Sequence, residues 1–215
     1  MLTLVIQAGG QSNRMGRDKA LLPFCGEPLI QRVINRLTHL PAEILVTTNQ
    51  PEKFAFLNLP LYPDILPGRG ALGGLYTALR AAHHPFVAVV ACDMPFANPD
   101  ILSTCRTRLE ESEADAVLPR TEQGLEPFHA VYRRKTCLPA VEHALATGQR
   151  RVISWHQDRK IHVLLPQEIA QLDPLGLAFW NINTPEAFQQ AEKKACELLA
   201  LTKLDQSKPH HRKKV

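Results

Sequence analysis

The chain has 215 residues, a net charge of +4 and 45% hydrophobic residues. This length is enough for one domain with its own core, and no apolar stretch approaches the roughly 18 residues of a membrane span. The last ten residues, QSKPHHRKKV, hold four basic side chains and no acid, so the body is neutral and lacks the basic surface typical of nucleic-acid-binding proteins. We expect one domain over residues 1–203 and a basic, disordered tail over residues 204–215, with neither nucleic acid nor membrane as a partner.

The cysteines and the N-terminus indicate a cytoplasmic protein. The five cysteines are scattered and never form a C-x-x-C pair; they are Cys25, Cys92, Cys105, Cys137 and Cys196. This pattern predicts reduced thiols and argues against a zinc site or a disulfide framework. The first apolar run is too short for a signal peptide and has no basic segment before it.

Strands and helices are predicted to alternate along the chain. The apolar, partly β-branched run over residues 2–6 predicts a buried strand, and the run FVAVVAC at 86–92 predicts another. Further strands are expected at 44–48, 116–119, 128–132, 161–165 and 179–182. Helices are expected at 28–40, 72–82, 99–109, 135–146 and 185–201, and an irregular segment at 53–66. This order predicts an α/β fold, a three-layer, Rossmann-like, mostly parallel sheet whose ligands bind beyond the carboxyl ends of strands.

A glycine turn follows the first strand and leads into a basic loop. Gly9 and Gly10 allow backbone to approach a ligand closely, and their N–H groups can cradle an anion while Arg14 and Lys19 add positive charge. The spacing differs from a Walker A loop, and no Ser or Thr follows Lys19 to hold magnesium. A polyphosphate is the expected ligand.

The segment Ala8 to Lys19, AGGQSNRMGRDK, resembles the A-G-G-x-S-x-R-M-G-x-D-K signature of the molybdenum cofactor guanylyltransferases, the MobA family. Every fixed position matches. Gln7 departs from the leucine that the family usually has. The resemblance extends to about residue 195, implies the nucleotide-diphospho-sugar transferase type of sheet, and implies that Gln7, Ala8, Gly9, Gly10 and Lys19 bind the nucleotide.

The glycines after residue 67 have two interpretations. Gly68 to Gly73 spells G-x-G-x-x-G with Asp93 twenty residues beyond, which is formally a dinucleotide fingerprint. The preceding segment contains three prolines and does not have the character of the required strand. The resemblance implies instead that the loop around Gly73 helps to surround guanine and that Asp64 binds the nucleotide.

Asp93 follows the most hydrophobic strand and is our expected Mg²⁺ ligand. Magnesium prefers carboxylate oxygens and is usually completed by water and substrate phosphates; the alternative is a carboxylate that caps the next helix. The context Cys92 to Pro95 resembles the family's C-D-x-P. The segment from Asn181 to Glu186 matches its N-x-N-T-P-E, which implies that Asn183 also faces the metal while Thr184 caps a helix.

The chain departs from the family pattern after the second strand. The family usually has N-x-N-R, whereas this chain has Thr47, Thr48, Asn49 and Gln50. Asn49 matches a nucleotide-binding position, but Thr47 replaces an asparagine, and the loss of an amide weakens base selection. The strictness of guanine preference is therefore open.

Three further residues are expected on the side of the acceptor, molybdopterin. His129 lies in a segment that resembles the family's P-L-x-A-x-Y-R, although a lone histidine in an alternating strand is more often a packed residue. Arg150 and Arg151 resemble its G-x-R-R and are suited to hold a phosphate; the plain alternative is a solvated helix end.

The resemblance implies a nucleotidyltransferase that transfers GMP from GTP to molybdenum-bound molybdopterin, with Mg²⁺ as cofactor. Arg14, Lys19 and Asp93 are the expected catalytic residues, and cofactor-delivery proteins and apo-molybdoenzymes are expected partners. The alternatives are a cytidylyltransferase acting on the same or another small phosphate, a sugar-nucleotide pyrophosphorylase, and a non-catalytic nucleotide-binding or cofactor-chaperone domain. The last alternative gives no role to Asp93 or Asn183.

Overall fold

Strands and helices alternate through most of the chain in the computed structural model, which describes residues 1–9 and 18–206. The strands within these ranges are β1 (Leu2–Gln7), β2 (Pro23–Phe24), β3 (Glu27–Pro28), β4 (Glu43–Thr47), β5 (Leu61–Tyr62), β6 (Phe86–Ala91), β7 (Ala116–Thr121), β8 (Gly124–Leu125), β9 (His129–Arg133) and β10 (Ile161–Leu164). The helices are α1 (Leu29–Leu37), α2 (Pro51–Phe54), α3 (Gly70–Ala81), α4 (Pro99–Glu111), α5 (Arg134–Ala146), α6 (Pro166–Leu172) and α7 (Pro185–Gln206).

One sheet organises these elements in the order β10-β7-β9-β6-β1-β4-β5, with β8 paired to β7. β1 pairs in parallel with β4 on one side and β6 on the other. β9 alone among the strands of that order runs antiparallel to its neighbours, β6 and β7. The expected α/β class with a mostly parallel sheet is confirmed.

Apolar side chains cover both faces of the sheet, which is why β1 and β6 are almost continuously hydrophobic. On one face α1 and α4 bury residues such as Val33 and Leu102 against the sheet. On the other face α3 and α5 bury residues such as Leu75 and Val141. Two helical layers on a mixed sheet give the expected three-layer arrangement.

The C-terminal helix α7 packs on a third, smaller apolar cluster with the β2–β3 hairpin. Phe24 and Phe188 meet edge to face within it, with ring centroids 5.4 Å apart. Cys25, in the hairpin turn, forms a disulfide with Cys196 of α7. The expectation of five reduced thiols is therefore wrong for this pair, because folding brings together two cysteines separated by 171 positions; Cys92, Cys105 and Cys137 are free and buried.

Most predicted elements are present with ends shifted by a few residues. The strand expected at 179–182 is wrong. That segment is irregular, and its Ile182 donates its backbone N–H to the carbonyl of Asp93 rather than to a strand, at 3.0 Å. The segment 53–66, expected to be irregular, includes the end of α2 and the two-residue edge strand β5.

α7 continues through Gln206, beyond the expected domain boundary at 203. The rest of the basic tail, residues 207–215, lies outside the described residues. None of the helices in the described ranges has the length and apolar character that crossing a bilayer requires.

Candidate active site

Three parallel strands end at the same level and open onto a cavity of about 360 Å³. At the end of β1, Gln7 is in register with Thr47 of β4 and Ala91 of β6. Backbone hydrogen bonds continue this pairing into the loops, from Ala8 to Thr47 at 2.9 Å and from Cys92 to Gln7 at 3.0 Å. The chain at Ala8, just after β1, and the start of the loop after β6 are thereby held side by side.

Most of the residues predicted to bind the nucleotide line this cavity. Those present in its wall are Gln7, Ala8, Gly9, Lys19, Asp64 and Asp93. The sheet therefore brings together residues 86 positions apart in the sequence. Gly10 and Arg14 lie outside the described residues, so their expected roles stay predictions.

Lys19 joins the parts of the site. Asp18 caps the short 3₁₀ turn Lys19–Leu21 by accepting a hydrogen bond from the backbone N–H of Ala20. The Lys19 Nζ then donates to Asp93 Oδ2 at 2.5 Å, to the Ile182 carbonyl at 2.9 Å and to Asn183 Oδ1 at 3.1 Å. Two expected metal ligands, predicted from segments 90 residues apart, thus meet at one cation.

Asp93 lies at the bottom of this group, with only 16% of its side chain exposed. Its Oδ1 is buried and has no hydrogen-bond partner among the residues that the structure describes. Asp93 does not cap the next helix, because α4 begins at Pro99 and Asn98 accepts the capping hydrogen bonds from Asp100 and Ile101. A free buried carboxylate oxygen is costly unless a ligand satisfies it.

These donors fit a magnesium ion. A carboxylate, a side-chain amide oxygen and a main-chain carbonyl are hard oxygen ligands of the kind that Mg²⁺ accepts. The unsatisfied Oδ1 of Asp93 is the feature that most needs a cation. The expected assignment of Asp93 and Asn183 to a metal is compatible with this geometry and stays a prediction.

Thr184 has the role expected of a helix cap. Its hydroxyl accepts a hydrogen bond from the backbone N–H of Ala187 at 3.1 Å, and Pro185 begins α7. The start of α7 therefore fixes the chain direction immediately after Asn183, which presents its amide to Lys19.

Asn49 and Asp64 form a reciprocal pair at the edge of the cavity. Asn49 donates its side-chain amide to Asp64 Oδ2 at 2.7 Å and accepts the backbone N–H of Asp64 at 2.9 Å. Asp64 lines the cavity with Thr47, whereas Asn49 does not line it. Asn49 therefore reaches the cavity only through Asp64. The Thr47 side chain is almost fully buried, with 2% exposed.

The glycines at the start of α3 differ in backbone conformation, in packing and in whether they line the cavity. Gly70 adopts a positive φ of 61° and lines the cavity. Gly73 packs inside the helix turn, where an added Cβ would come within 2.7 Å of Arg69 Cβ. Gly74 lines the cavity and lies against the side-chain amide of Gln7, so Gly74, rather than the expected Gly73, faces the site.

The residues predicted on the acceptor side are arranged differently. His129 is completely buried; its Nε2 contacts the Asn98 backbone, and its ring packs on Phe179 at 5.1 Å. Burial lowers the pKa of His129 to about 4, so the ring is neutral near pH 7. Its neighbour Phe128, rather than His129, lines the cavity.

Arg150 and Arg151 are exposed in the loop after α5. The Arg150 carbonyl lies 3.9 Å from a Cβ placed on Gly70, so this loop adjoins the cavity wall. Neither arginine forms an ion pair within the described part of the chain. Both are free to meet an anion.

Sequence reasoning did not identify Phe128 or the Ile182 carbonyl. Phe128 lies in the segment that resembles the family's P-L-x-A-x-Y-R, but an apolar side chain beside a histidine carries no chemical signal of its own. A carbonyl oxygen has no residue-type signal, so only the fold reveals that Ile182 contacts Lys19. Cys92 also lines the cavity; burial, followed by the charge of Asp93, raises the pKa of its thiol, which excludes it as a ready nucleophile.

Residues 4–160 match the model of the MobA-like NTP transferase domain. The chain belongs to this family. A protein of Pelotomaculum thermopropionicum named "Probable molybdenum cofactor guanylyltransferase" is 37% identical over 190 residues, covering 88% of this chain and 91% of that protein. A "Molybdenum cofactor guanylyltransferase" of Desulfosudis oleivorans is 31% identical over 192 residues, covering 89% of this chain and 94% of that protein.

A solved structure supports the same assignment. Molybdopterin-guanine dinucleotide biosynthesis protein A from Archaeoglobus fulgidus superposes with a TM-score of 0.80 at 25% sequence identity, covering 91% of this chain and 99% of that one. As a MobA-like NTP transferase, the chain is a nucleotidyltransferase. Family membership excludes the dehydrogenase interpretation of Gly68 to Gly73, which also follows only a two-residue edge strand.

Proposed function

We propose that the chain transfers GMP from GTP to the terminal phosphate of molybdenum-bound molybdopterin, giving molybdopterin guanine dinucleotide and pyrophosphate. The relatives named for this activity cover most of the chain. The observation that carries the proposal is the meeting of Lys19, Asp93 and Asn183 at the cavity that the backbone of Ala8 and Gly9 also lines. A non-catalytic nucleotide-binding domain would have no need for this group.

The reaction requires alignment more than acid or base chemistry. A phosphate oxygen of the acceptor attacks the α-phosphorus of GTP, the bond to the bridging oxygen of the β-phosphate breaks, and pyrophosphate leaves with the bonding electrons. The acceptor phosphate is already an anion near pH 7, so no protein base is needed. The site must instead hold two anions together and neutralise the charge that moves to the leaving group.

The chain's own residues supply this. The backbone at Ala8 and Gly9 approaches the triphosphate, and Lys19 offers an ammonium group to its phosphate oxygens. Asp93 and Asn183 would hold Mg²⁺, which stabilises negative charge on phosphoryl oxygens when it is bound. Arg14 is proposed to assist Lys19.

Base recognition is proposed at the edge formed by Asp64, Thr47 and Gly74. The carboxylate of Asp64 is oriented by Asn49 and can accept only, which suits the N1–H and exocyclic amine of guanine. Thr47, in place of an asparagine, removes one amide from this wall and leaves CTP as the specific alternative. The cavity wall at Phe128 and the loop with Arg150 and Arg151 face the acceptor in this proposal.

Other expected partners and the setting also stay predictions. Delivery proteins and apo-molybdoenzymes would exchange the cofactor with this enzyme, and the reaction is proposed to be cytoplasmic. The Cys25–Cys196 disulfide does not favour a cytoplasmic location, because cytosolic thiols are usually kept reduced.

The test is pyrophosphate release with each of the four NTPs in the presence of Mg²⁺ and molybdopterin. GTP-specific release is the expected result. CTP-specific release would refute guanylyl transfer and support the cytidylyltransferase alternative. No release with any nucleotide would refute both reactions. Omission of molybdopterin is the control for simple hydrolysis.

A further inference from the structure

Three oxygen atoms converge on the ammonium group of Lys19. Asp93 Oδ2, the Ile182 carbonyl and Asn183 Oδ1 lie within 3.1 Å of its Nζ. Only 18% of the Lys19 side chain is exposed. A carboxylate with two neutral oxygens is also the donor set of a divalent-cation site, so the ammonium group lies where a metal ion would find its ligands.

We infer that Lys19 is a tethered cation that occupies the metal position in the nucleotide-free protein and leaves it when a triphosphate arrives. Divalent metal and nucleotide then bind together rather than independently. This inference rests on the proposed function in one respect, the assignment of the metal to Asp93 and Asn183.

The geometry makes the two cations competitors. Lys19 already holds Asp93 Oδ2 and Asn183 Oδ1, so a metal that binds either oxygen of Asp93 together with Asn183 lies within a few ångströms of the ammonium group. An ammonium and a divalent ion a few ångströms apart repel each other strongly in a partly desolvated site. The metal must therefore displace Lys19 before it can use these ligands.

A triphosphate offers Lys19 a second position. Lys19 lines the same cavity as Gly9, where the phosphates are proposed to bind, and its long, flexible side chain can move between two anionic partners. When the ammonium moves to a phosphate oxygen, Asp93 and Asn183 are released for the metal. The coupling is reciprocal, since a metal that displaces Lys19 also frees it for the phosphate.

The experiment measures Mn²⁺ binding by electron paramagnetic resonance with no nucleotide present. Wild type is compared with Lys19→Met and with Lys53→Met, a control that loses the same charge from an exposed position on α2 outside the cavity. We expect Lys19→Met to bind Mn²⁺ about tenfold or more tightly than wild type, and Lys53→Met to match wild type.

A second titration adds guanosine 5′-(α,β-methylene)triphosphate, which cannot be cleaved at the reacting bond. In wild type the analogue should tighten Mn²⁺ binding strongly. The coupling factor is the ratio of the Mn²⁺ affinities with and without the analogue. It should be smaller in Lys19→Met, because this variant has no ammonium group for the analogue to draw away from Asp93 and Asn183. Asp93→Asn should lose the Mn²⁺ site in both titrations.

Equal or weaker Mn²⁺ binding by Lys19→Met in the absence of nucleotide would overturn the inference. So would Mn²⁺ binding that persists in Asp93→Asn. Circular dichroism checks folding, and Lys19→Gln repeats the comparison with a neutral polar side chain. The first titration involves neither GTP nor turnover, so its failure is distinguishable from failure of the proposed reaction.

Discussion

The two sides of the cavity differ in how far their side chains are already held in place by hydrogen bonds. On the nucleotide side, Lys19, Asp93 and Asn183 are already connected, and Asn49 orients Asp64. On the acceptor side, His129 is buried away from the cavity, whereas Arg150 and Arg151 are exposed without ion-pair partners in the described ranges. In the proposed assignment, this difference means that the triphosphate site is built in advance, whereas acceptor binding is left to adaptable surface groups.

The largest effect is expected from Asp93→Asn, which removes the negative charge from the connected group of Lys19, Asp93 and Asn183. We expect kcat for guanylyl transfer to fall a hundredfold or more, since loss of one strong electrostatic partner is typically worth about 3 kcal/mol. Steady-state pyrophosphate release measures this. Asp100→Asn, at an exposed position at the start of α4, is the matched control. Near-normal turnover by Asp93→Asn would show that the connected group of Lys19, Asp93 and Asn183 is not needed for the reaction.

The disulfide supports the connected side from outside the cavity. α7 follows Asn183 and is joined to the β2–β3 hairpin through Cys25 and Cys196. We expect Cys196→Ser to lower the free energy of unfolding by about 3 kcal/mol, because the cross-link restricts the unfolded chain. Thermal unfolding should show a decrease in Tm of roughly 6–12 °C.

A reducing agent gives an independent check on the disulfide. It should lower the Tm of wild type and leave that of Cys196→Ser unchanged. If wild type unfolds at the same temperature with and without reductant, the cross-link does not stabilise the fold.

His129 tests whether the acceptor side uses a charged histidine. Its folded pKa of about 4 lies below the ordinary value of 6.5, because burial disfavours the charged ring. Between these values the unfolded state binds a proton that the folded state does not, so stability is lost as pH falls from 6.5 towards 4. At pH 5 the loss is about 2 kcal/mol relative to pH 7.

Urea unfolding of wild type and His129→Gln at pH 7 and pH 5 measures this contribution. The variant should lose about 2 kcal/mol less stability than wild type between the two pH values, whatever its stability at pH 7. An identical pH dependence in both proteins would show that His129 titrates normally and is accessible to protons in the folded state.

The smallest effect is expected from the exposed arginines. We expect Arg150→Ala combined with Arg151→Ala to raise KM for molybdopterin about tenfold, because two charge-assisted contacts to the acceptor phosphate are lost. GTP affinity should stay unchanged, and Arg80→Ala, exposed on α3, is the control. A selective loss of GTP affinity would contradict this prediction and would show that the two arginines contact GTP rather than the acceptor.

The sequence predicted the parts of the fold that repeat a pattern. β1 and β6 were evident because a strand covered by helices on both faces is apolar throughout, and the sheet class followed from the alternation of elements. The segment 179–182 has similar composition, but it is irregular and its apolar Ile182 fills the cluster under α7. Hydrophobic pattern alone cannot separate these two uses of apolar residues.

The candidate site was predictable where a side chain carries the chemistry. The sequence alone points to Lys19, Asp64 and Asp93, and all three line the cavity. The Ile182 carbonyl and the Cys25–Cys196 cross-link depend on contacts between distant segments, which leave no local signal.

The most direct test of the account is a crystal structure with Mn²⁺ and the α,β-methylene analogue of GTP, in which anomalous scattering locates the metal. We predict Mn²⁺ at coordination distance from Asp93 and Asn183, with Lys19 moved to the phosphates and the triphosphate against the turn at Gly9. A metal more than about 10 Å from Asp93, well beyond the reach of a metal-bridged phosphate, would contradict the account.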